Sequence, residues 1–283
     1  MCKDEGISKP APPHKQARNR QAQRAGRGPT DGRSASEIGL TAGARTLVDA
    51  LDLTLLRGQL WAVVGPNGSG KTTLLHTLAG LRAPDAGHVH IGGRPYAGWP
   101  PGEAACLRGL LPQAVADSFP ATVLELVLIG RHPHLARWAW EGEDDRRIAR
   151  AALAAVDLAG FEARDVLTLS GGERQRVAVA ALLAQDPLAL LLDEPLAHLD
   201  LHHQLLLMQH LQALALQQAR LVLLSVHDLN LAARFATHVL VLGPQGHRAG
   251  TVDEVMTEPV LSAAFGHGLR RVNVEGRWLF LPA

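Results

Sequence analysis

Residues 65–72 decide the fold, and they read Gly65-Pro66-Asn67-Gly68-Ser69-Gly70-Lys71-Thr72. The spacing G-x-x-x-x-G-K-[ST] is typical of a loop whose successive backbone N–H groups turn inward around an anion. The apolar run at residues 60–64 predicts a strand before this loop, and residues 73–81 predict a helix after it. The helix would point its positive end at the anion. The stretch therefore predicts a phosphate-binding loop between a strand and a helix.

The residues of this loop have separate roles in holding a nucleotide. Lys71 is expected to reach the β- and γ-phosphates, and the Thr72 hydroxyl is expected to ligate Mg²⁺. The loop backbone and the first turn of the helix would surround the phosphates. The predicted nucleotide-binding residues of this segment are Gly65, Pro66, Asn67, Gly68, Ser69, Gly70, Lys71, Thr72 and Thr73.

Two carboxylates follow an unbroken apolar run at residues 188–192. Such a run predicts a strand buried on both faces, and α/β sheets bind ligands at the carboxyl ends of their strands. Asp193 is therefore expected to hold Mg²⁺, directly or through water. Glu194 is the candidate general base for the water that attacks the γ-phosphate. The alternative for Glu194 is a favourable charge at the N-terminus of a helix.

A second glycine-rich element, Leu-Ser-Gly-Gly-Glu, stands at residues 169–173, directly before an amphipathic helical pattern. Ser170, Gly171 and Gly172 would expose a hydroxyl and backbone N–H groups at the positive end of that helix. They predict a second anion site in a chain that already contains a phosphate loop. Together the two sites favour an ATPase that works as a pair of subunits.

With these three motifs in this order, residues 37–265 resemble an ATP-binding subunit of the ABC transporter superfamily. The resemblance implies an α/β fold with a P-loop NTPase (RecA-like) core and its parallel sheet. It also implies an antiparallel β subdomain and a helical subdomain inserted at about residues 114–170. Two copies of the chain would form a homodimer that closes head-to-tail around two ATP molecules, with Mg²⁺ as the metal.

The resemblance assigns roles to further residues. Gln113 matches the glutamine that senses Mg²⁺ and borders the membrane subunit, so it joins the predicted ATP- and Mg²⁺-binding residues. His227 matches the histidine that touches the γ-phosphate and positions the water, so Lys71, Glu194 and His227 form the expected catalytic set. The residues expected to contact the ATP held by the other subunit are Ser170, Gly171, Gly172 and Asp200.

One family feature has no counterpart in this chain. Family members usually place an aromatic side chain before the phosphate loop, where it stacks on adenine. Residues 38–48 contain no aromatic residue. Arg45 or an apolar contact could take its place, with a modest loss of selectivity for the base.

Three further stretches, at residues 130–134, 196–204 and 226–232, are similar to importer ATPases for ferric siderophores, haem and cobalamin, and the segment 250–261 fits as well. The resemblance implies integral-membrane permease subunits and, indirectly, a periplasmic substrate-binding protein. It places the chain peripherally on the cytoplasmic face of the inner membrane, without a specific nucleic-acid partner. The alternatives are an ABC exporter ATPase and a soluble, nucleic-acid-linked ABC ATPase.

The two ends of the chain differ from its middle. Residues 1–36 hold eight Lys or Arg against three acids and almost no large apolar residue, which predicts a disordered basic tail. This tail is either a solvated extension or a segment that contacts anionic lipid or nucleic acid. Residues 266–283 are expected to be an extension without a regulatory signal.

Composition argues against several other classes. The longest uninterrupted apolar run, residues 177–184, has eight residues, whereas a membrane-spanning helix needs about 20. The two cysteines form neither a disulfide framework nor a metal-ligand pattern. Paired histidines without Cys or carboxylates at ligand spacing favour polar surface roles over metal binding. These pairs are His88/His90, His132/His134 and His202/His203.

Overall fold

The structure, a computed structural model, describes residues 32–43, 45–113, 120–136 and 139–283. Of the predicted basic tail, residues 1–31 lie outside the described residues.

The strands are β1 (Gly32–Ala42), β2 (Arg45–Leu56), β3 (Leu60–Val64), β4 (Ala86–Ile91), β5 (Arg94–Pro95), β6 (Arg108–Leu111), β7 (Ala189–Leu192), β8 (Leu221–Ser225), β9 (His238–Gly243), β10 (Gly246–Thr251), β11 (Leu269–Val274) and β12 (Arg277–Pro282). The helices are α1 (Lys71–Leu78), α2 (Pro101–Leu107), α3 (Val123–Leu128), α4 (Glu143–Ala155), α5 (Gly171–Gln185), α6 (Leu201–Gln218), α7 (Leu229–Phe235), α8 (Val252–Val255) and α9 (Glu258–Phe265). Within the described residues, no helix combines the length and the apolar character that crossing a membrane requires.

Most of the predicted site residues follow the carboxyl ends of the strands of a six-stranded sheet. Its order is β10-β9-β3-β8-β7-β6, and all neighbouring pairs are parallel except β9 with β10. β3, β7 and β8 are buried along their whole length, as the apolar runs of central parallel strands require. Because these strands are parallel neighbours, the segments that follow them emerge side by side. The predicted α/β fold with a parallel sheet is confirmed.

A second, antiparallel sheet contains β1, β2, β4 and β5 in the order β2-β1-β4-β5. β1 begins at Gly32, so residues 32–36 belong to this sheet, and their assignment to the disordered tail was wrong. The backbone of Ser34 lies opposite Thr54 on β2 and His90 on β4. Short polar residues such as Ser34 and Ser36 show no apolar alternation, so the sequence pattern does not reveal pairing that the backbone makes.

The described part of the chain between β6 and β7 is mostly helical and contains α3, α4 and α5 together with the 3₁₀ turns Ile129–His134 and Val166–Thr168. α3 begins with a capping box, in which the backbone N–H of Thr122 donates to Glu125 Oε2 at 2.7 Å. The backbone N–H of Glu125 donates in return to Thr122 Oγ1 at 3.2 Å. These two bonds satisfy N–H groups that a helix start leaves without partners.

Residues 130–134 close the C-terminal end of α5. Arg131 Nη1 donates to the carbonyl oxygen of Ala184 at 2.8 Å, and Arg131 Nε donates to Asp145 Oδ1 on α4 at 3.0 Å. His134 Nε2 lies 2.7 Å from the carbonyl oxygen of Gln185. Basic side chains are favourable beside the last carbonyls of a helix. This stretch therefore joins α4 to the end of α5.

The last residues form an element that sequence patterns did not predict. β11 and β12 pair as an antiparallel hairpin, with Arg271 opposite Phe280. Phe280 is only 5 % exposed and belongs to the main core. The arginines at positions 270, 271 and 277 interrupt the apolar alternation, and for this reason the hairpin lacks a strand signal.

Gly130 occupies a position where the backbone of α5 leaves no room for a side chain. A β-carbon there would lie 2.2 Å from the carbonyl oxygen of Ala181. We expect Gly130→Ala to lower the free energy of unfolding by about 1–3 kcal/mol, because relieving this contact requires the backbone to shift. Urea denaturation of the full-length protein measures this change.

The matched control is Gly102→Ala on α2. A β-carbon at Gly102 meets no described atom within 4 Å, and Ala is a better helix former than Gly. We expect this variant to unfold at the same urea concentration as the wild type or at a higher one. Equal losses of stability in the two variants would contradict the close approach of residue 130 to α5.

Candidate functional site

The loop between β3 and α1 is held close to the neighbouring strand β9. Gly65 has a φ of +156°, and a β-carbon there would lie 2.4 Å from the carbonyl oxygen of Leu242. Lys71 begins α1 and is 5 % exposed. Its Nζ donates to the carbonyl oxygens of Gly65 at 2.8 Å and Pro66 at 3.2 Å. The lysine is thus oriented across the mouth of the loop.

Burial and nearby negative charge have opposite effects on the pKa of Lys71. Burial lowers the pKa of the Lys71 ammonium, and the nearby carboxylates of Glu194 and Asp193 act in the opposite direction. The first turn of α1 contains no acidic residue, so nothing there neutralises the positive end of the helix. The loop therefore offers both a cation and a helix N-terminus to an anion.

A cavity of about 410 Å³ opens over this loop. It brings together loop residues with three residues from distant segments of the chain. The lining residues are Ala42, Leu47, Asn67, Gly68, Gly70, Lys71, Thr72, Thr73, Gln113, Glu194 and His227. All but two of these, Ala42 and Leu47, are predicted site residues, so the sequence motifs converge on one concave surface.

Glu194 lies at the centre of this convergence. Its Oε1 is 2.7 Å from His227 Nε2, and its Oε2 accepts a hydrogen bond from Gln113 Nε2 at 3.0 Å. The Glu194 side chain is 19 % exposed, whereas that of His227 is 51 % exposed. A carboxylate held between an amide donor and an imidazole, with one face open to a cavity, is suited to accept a proton.

Asp193 is fully buried behind Glu194 and shares a partner with it. Ser225 Oγ, at the end of β8, donates to Asp193 Oδ1 at 2.6 Å. Ser225 Oγ also accepts a hydrogen bond from the backbone N–H of Glu194 at 2.7 Å. Glu194 has a φ of +49°, a conformation that is unfavourable for a residue with a side chain. Ser225 therefore helps to hold the Glu194 backbone in this conformation.

The second carboxylate oxygen of Asp193 fits a cation ligand. Asp193 Oδ2 is buried and has no hydrogen-bond partner among the described residues. Buried carboxylate oxygens are normally satisfied, and one without a partner calls for a specific explanation. A hard divalent cation prefers such an oxygen. Thr72, the other side chain predicted to ligate the metal, lines the adjacent cavity.

The second glycine-rich element lies apart from this cavity within the chain. Ser170 caps α5, accepting a hydrogen bond on its side chain from the backbone N–H of Glu173 at 3.2 Å. Asp200 caps α6 in the same way, accepting from the N–H of His203 at 2.9 Å. Neither Ser170, Gly171, Gly172 nor Asp200 is among the residues that line the cavity. The structure therefore separates these four residues from the phosphate loop of their own chain.

The wall of the cavity before the loop is aliphatic. Ala42 and Leu47 line it, and the described lining residues include no Phe, Tyr or Trp. The Arg45 guanidinium approaches the loop, with Nη1 3.9 Å from where a β-carbon of Gly68 would stand. Both substitutes that the sequence offered for the missing aromatic residue, a guanidinium and an apolar contact, thus border the loop.

The paired histidines contact neighbouring side chains. His88 and His90 face each other edge-on, with ring centroids 6.4 Å apart. His132 Nε2 lies 3.6 Å from Glu141 Oε1. His203 Nδ1 lies 2.8 Å from Asp200 Oδ1. Within the described residues, no three His, Cys, Asp or Glu side chains group as a metal-ligand set.

Comparison with known proteins gives the class. A family model described as ABC transporter matches residues 48–197. The hemin import ATP-binding protein of Gloeobacter violaceus is 44 % identical over 241 residues, which cover 82 % of this chain and 86 % of that protein. The iron(3+)-hydroxamate import ATP-binding protein of Bacillus subtilis is 38 % identical over 234 residues, covering 82 % and 87 %.

A solved structure agrees in fold. A chain of an ABC transporter in an inward-facing conformation, assigned to the metal-chelate type, superposes with a TM-score of 0.77 and 29 % identity. The match covers 89 % of this chain and 97 % of that one. The chain therefore belongs to the ABC transporter family. It is the ATP-binding component, an enzyme that hydrolyses ATP.

Ser225 is the site residue that sequence reasoning missed, and it is open to a direct test. We expect Ser225→Ala to lower kcat for ATP hydrolysis about 10- to 100-fold with little change in ATP affinity, as other losses of outer-shell partners do. The variant removes the donor to Asp193 and the acceptor for the Glu194 N–H. Steady-state hydrolysis and equilibrium ATP binding measure the two quantities.

Two further variants make the test specific. Ser225→Thr keeps the hydroxyl and is expected to recover most of the activity. Ser36→Ala is the matched control, because Ser36 is exposed on β1 and is not among the lining residues of the cavity. An unchanged kcat in Ser225→Ala would show that the hydroxyl does not support the carboxylates.

Proposed function

We propose that this chain is the ATP-hydrolysing subunit of an importer that takes up a metal chelate. ATP hydrolysis is supported by one observation: Glu194 contacts both Gln113 and His227 in the cavity over the phosphate loop. The transport part is supported by relatives whose names refer to import of hemin and iron(3+)-hydroxamate. Ferric siderophore, haem and cobalamin are the candidate substrates.

Glu194 is the general base in this proposal. Its carboxylate accepts a proton from a water molecule, and the water oxygen attacks the γ-phosphorus of ATP. His227 touches the γ-phosphate and orients the water, which is supported by the 2.7 Å contact of its Nε2 with Glu194 Oε1. Lys71 stabilises the charge that develops on the phosphate oxygens. Cleavage of the bond to the γ-phosphorus yields ADP and phosphate.

Mg²⁺ is the metal in this proposal, held by Asp193, Thr72 and Gln113. The partnerless Oδ2 of Asp193 supports a cation at this point. When bound, Mg²⁺ would neutralise charge on the β- and γ-phosphates. The remaining predicted nucleotide contacts come from loop residues 65–70 and from Thr73, which lies in the first turn of α1 beside Thr72.

Two copies of the chain form the working unit in this proposal. Ser170, Gly171, Gly172 and Asp200 do not line the cavity of their own chain, which supports their contact with ATP bound to a second copy. Ser170 stands at the N-terminus of α5, where an anion is favoured. Dimer closure on ATP and reopening after hydrolysis would then drive the transport cycle.

The partner proteins follow from the importer class. Two copies of the chain would bind an integral-membrane permease on the cytoplasmic face of the inner membrane, as peripheral subunits. A periplasmic protein would deliver the substrate to the permease. The metal chelate would pass through the permease and would not contact this chain.

Glu194→Gln tests the proposed base. We expect kcat to fall at least about 100-fold, because the amide cannot accept the proton of the water. ATP affinity should stay within a few-fold of the wild type, and an ATP-bound dimer should accumulate on size-exclusion chromatography. Glu103→Gln, an exposed glutamate on α2, is the matched control and should behave as the wild type. Retained hydrolysis in Glu194→Gln would remove Glu194 as the base.

Growth on a limiting nutrient tests the transport role. A strain that lacks the gene is supplied with haem, a ferric siderophore or cobalamin and complemented with the wild type or Glu194→Gln. We expect a defect on one of these nutrients, rescued by the wild type alone. Normal growth on all three, with active wild-type protein expressed, would contradict the metal-chelate class and leave the ATPase activity intact.

A further inference from the structure

The C-terminal hairpin of β11 and β12 is attached to α7 by one side-chain amide. The backbone N–H of Phe280 donates to Asn230 Oδ1 at 2.7 Å, and Asn230 Nδ2 donates to the carbonyl oxygen of Phe280 at 3.4 Å. The amide of Asn230 thus pairs with both backbone groups of one residue on the outer edge of β12. This is the bonding that a third strand would otherwise supply.

The other side of the hairpin is attached to α9. The backbone N–H of Leu269 donates to Ser262 Oγ at 2.9 Å, and that of Arg271 donates to Glu258 Oε1. The Arg271 guanidinium covers the ring of Trp278 at 3.7 Å, which joins the two strands. A two-stranded hairpin is marginally stable on its own, so these contacts fix where it sits.

The attachment point of Asn230 lies next to the candidate site. Asp228 caps α7 by accepting hydrogen bonds from the N–H groups of Asn230 and Leu231 at 2.7 and 3.1 Å. His227 directly precedes this cap and contacts Glu194. Asn230, which holds β12, therefore lies three residues along the chain from His227, and the Asp228 cap stands between them.

α7 is too short to be stable without packing against other elements. It has seven residues, and an isolated helix of this length is unstable in water. Its placement depends on the elements that pack against it. β12 contributes the hydrogen bonds of Asn230 and Phe280, which is buried in the same core cluster as Leu231 and Phe235. A shift of the hairpin would be passed to the first turn of α7 and to His227.

We propose that Asn230 and the C-terminal hairpin position His227 for ATP hydrolysis. Asn230 is a positioning residue, since it is not among the residues that line the cavity and acts through the loop that carries His227. This inference rests on the role proposed above for His227. It gives the hairpin a function in the reaction, where the sequence offered no regulatory signal.

A double-mutant cycle on the full-length protein tests the inference. We expect Asn230→Ala to lower kcat about 5- to 30-fold with KM for ATP changed less than about twofold, because misplacing a group in the site by about 1 Å costs up to about 100-fold. In a His227→Ala background the same change should lower kcat less than about twofold, since residues that act through one another are not additive.

Two further variants separate positioning from general loss of stability. Asn230→Asp keeps the acceptor for the Phe280 N–H and should restore kcat to within about threefold of the wild type. Asn273→Ala is the matched control, because Asn273 Oδ1 accepts only from the Gly276 N–H in the hairpin turn. We expect its melting temperature to be equal to or below that of the wild type and its kcat to be unchanged.

The outcomes are distinguishable. Equal effects of Asn230→Ala with and without His227 would overturn the inference and leave the role of His227 standing. A lower melting temperature with an unchanged kcat of the folded protein would do the same. An unchanged kcat in His227→Ala alone would refute the proposed role of His227 itself, and the inference with it.

Discussion

The site depends on one buried hydroxyl between two neighbouring strands. Ser225, at the end of β8, gives its proton to Asp193 Oδ1 and accepts the backbone N–H of Glu194, both at the end of β7. Hydrogen bonds in such a dry environment are strong, and losing one leaves a buried polar group without a partner. The bond from the Glu194 N–H helps to hold the Glu194 backbone at its positive φ. From there, the carboxylate reaches Gln113 on one side and His227 on the other.

The stretches that resemble metal-chelate importers have internal structural roles. Arg131 and His134 hold the C-terminal carbonyls of α5. Asp200 caps α6, and Asn230 holds β12. None of these side chains lines the cavity over the phosphate loop. In this chain, these side chains therefore hold neighbouring segments of the fold together.

The sequence was sufficient for the elements that local patterns specify. The phosphate loop, the buried strands β3, β7 and β8 and the helical stretch before β7 follow from spacing and apolar periodicity. Ser225 could not be found in this way, because it reads as one polar residue in an apolar strand and its partner Asp193 is 32 residues away. The start of β1 and the C-terminal hairpin were missed for a related reason. Backbone pairing and side-chain amides stabilise them, and neither leaves a periodic pattern.

Glu194 receives its two side-chain contacts from opposite parts of the chain. Gln113 lies two residues after β6, on the side of the helical segment, and His227 lies just before α7, to which the C-terminal hairpin is attached. The contacts are 3.0 and 2.7 Å long, so a displacement of either segment by about 1 Å would break a hydrogen bond to the carboxylate. In the proposed transporter, a permease acting beside Gln113 and a hairpin acting through Asn230 would therefore bias the same base. Hydrolysis would require both segments to be in place at once.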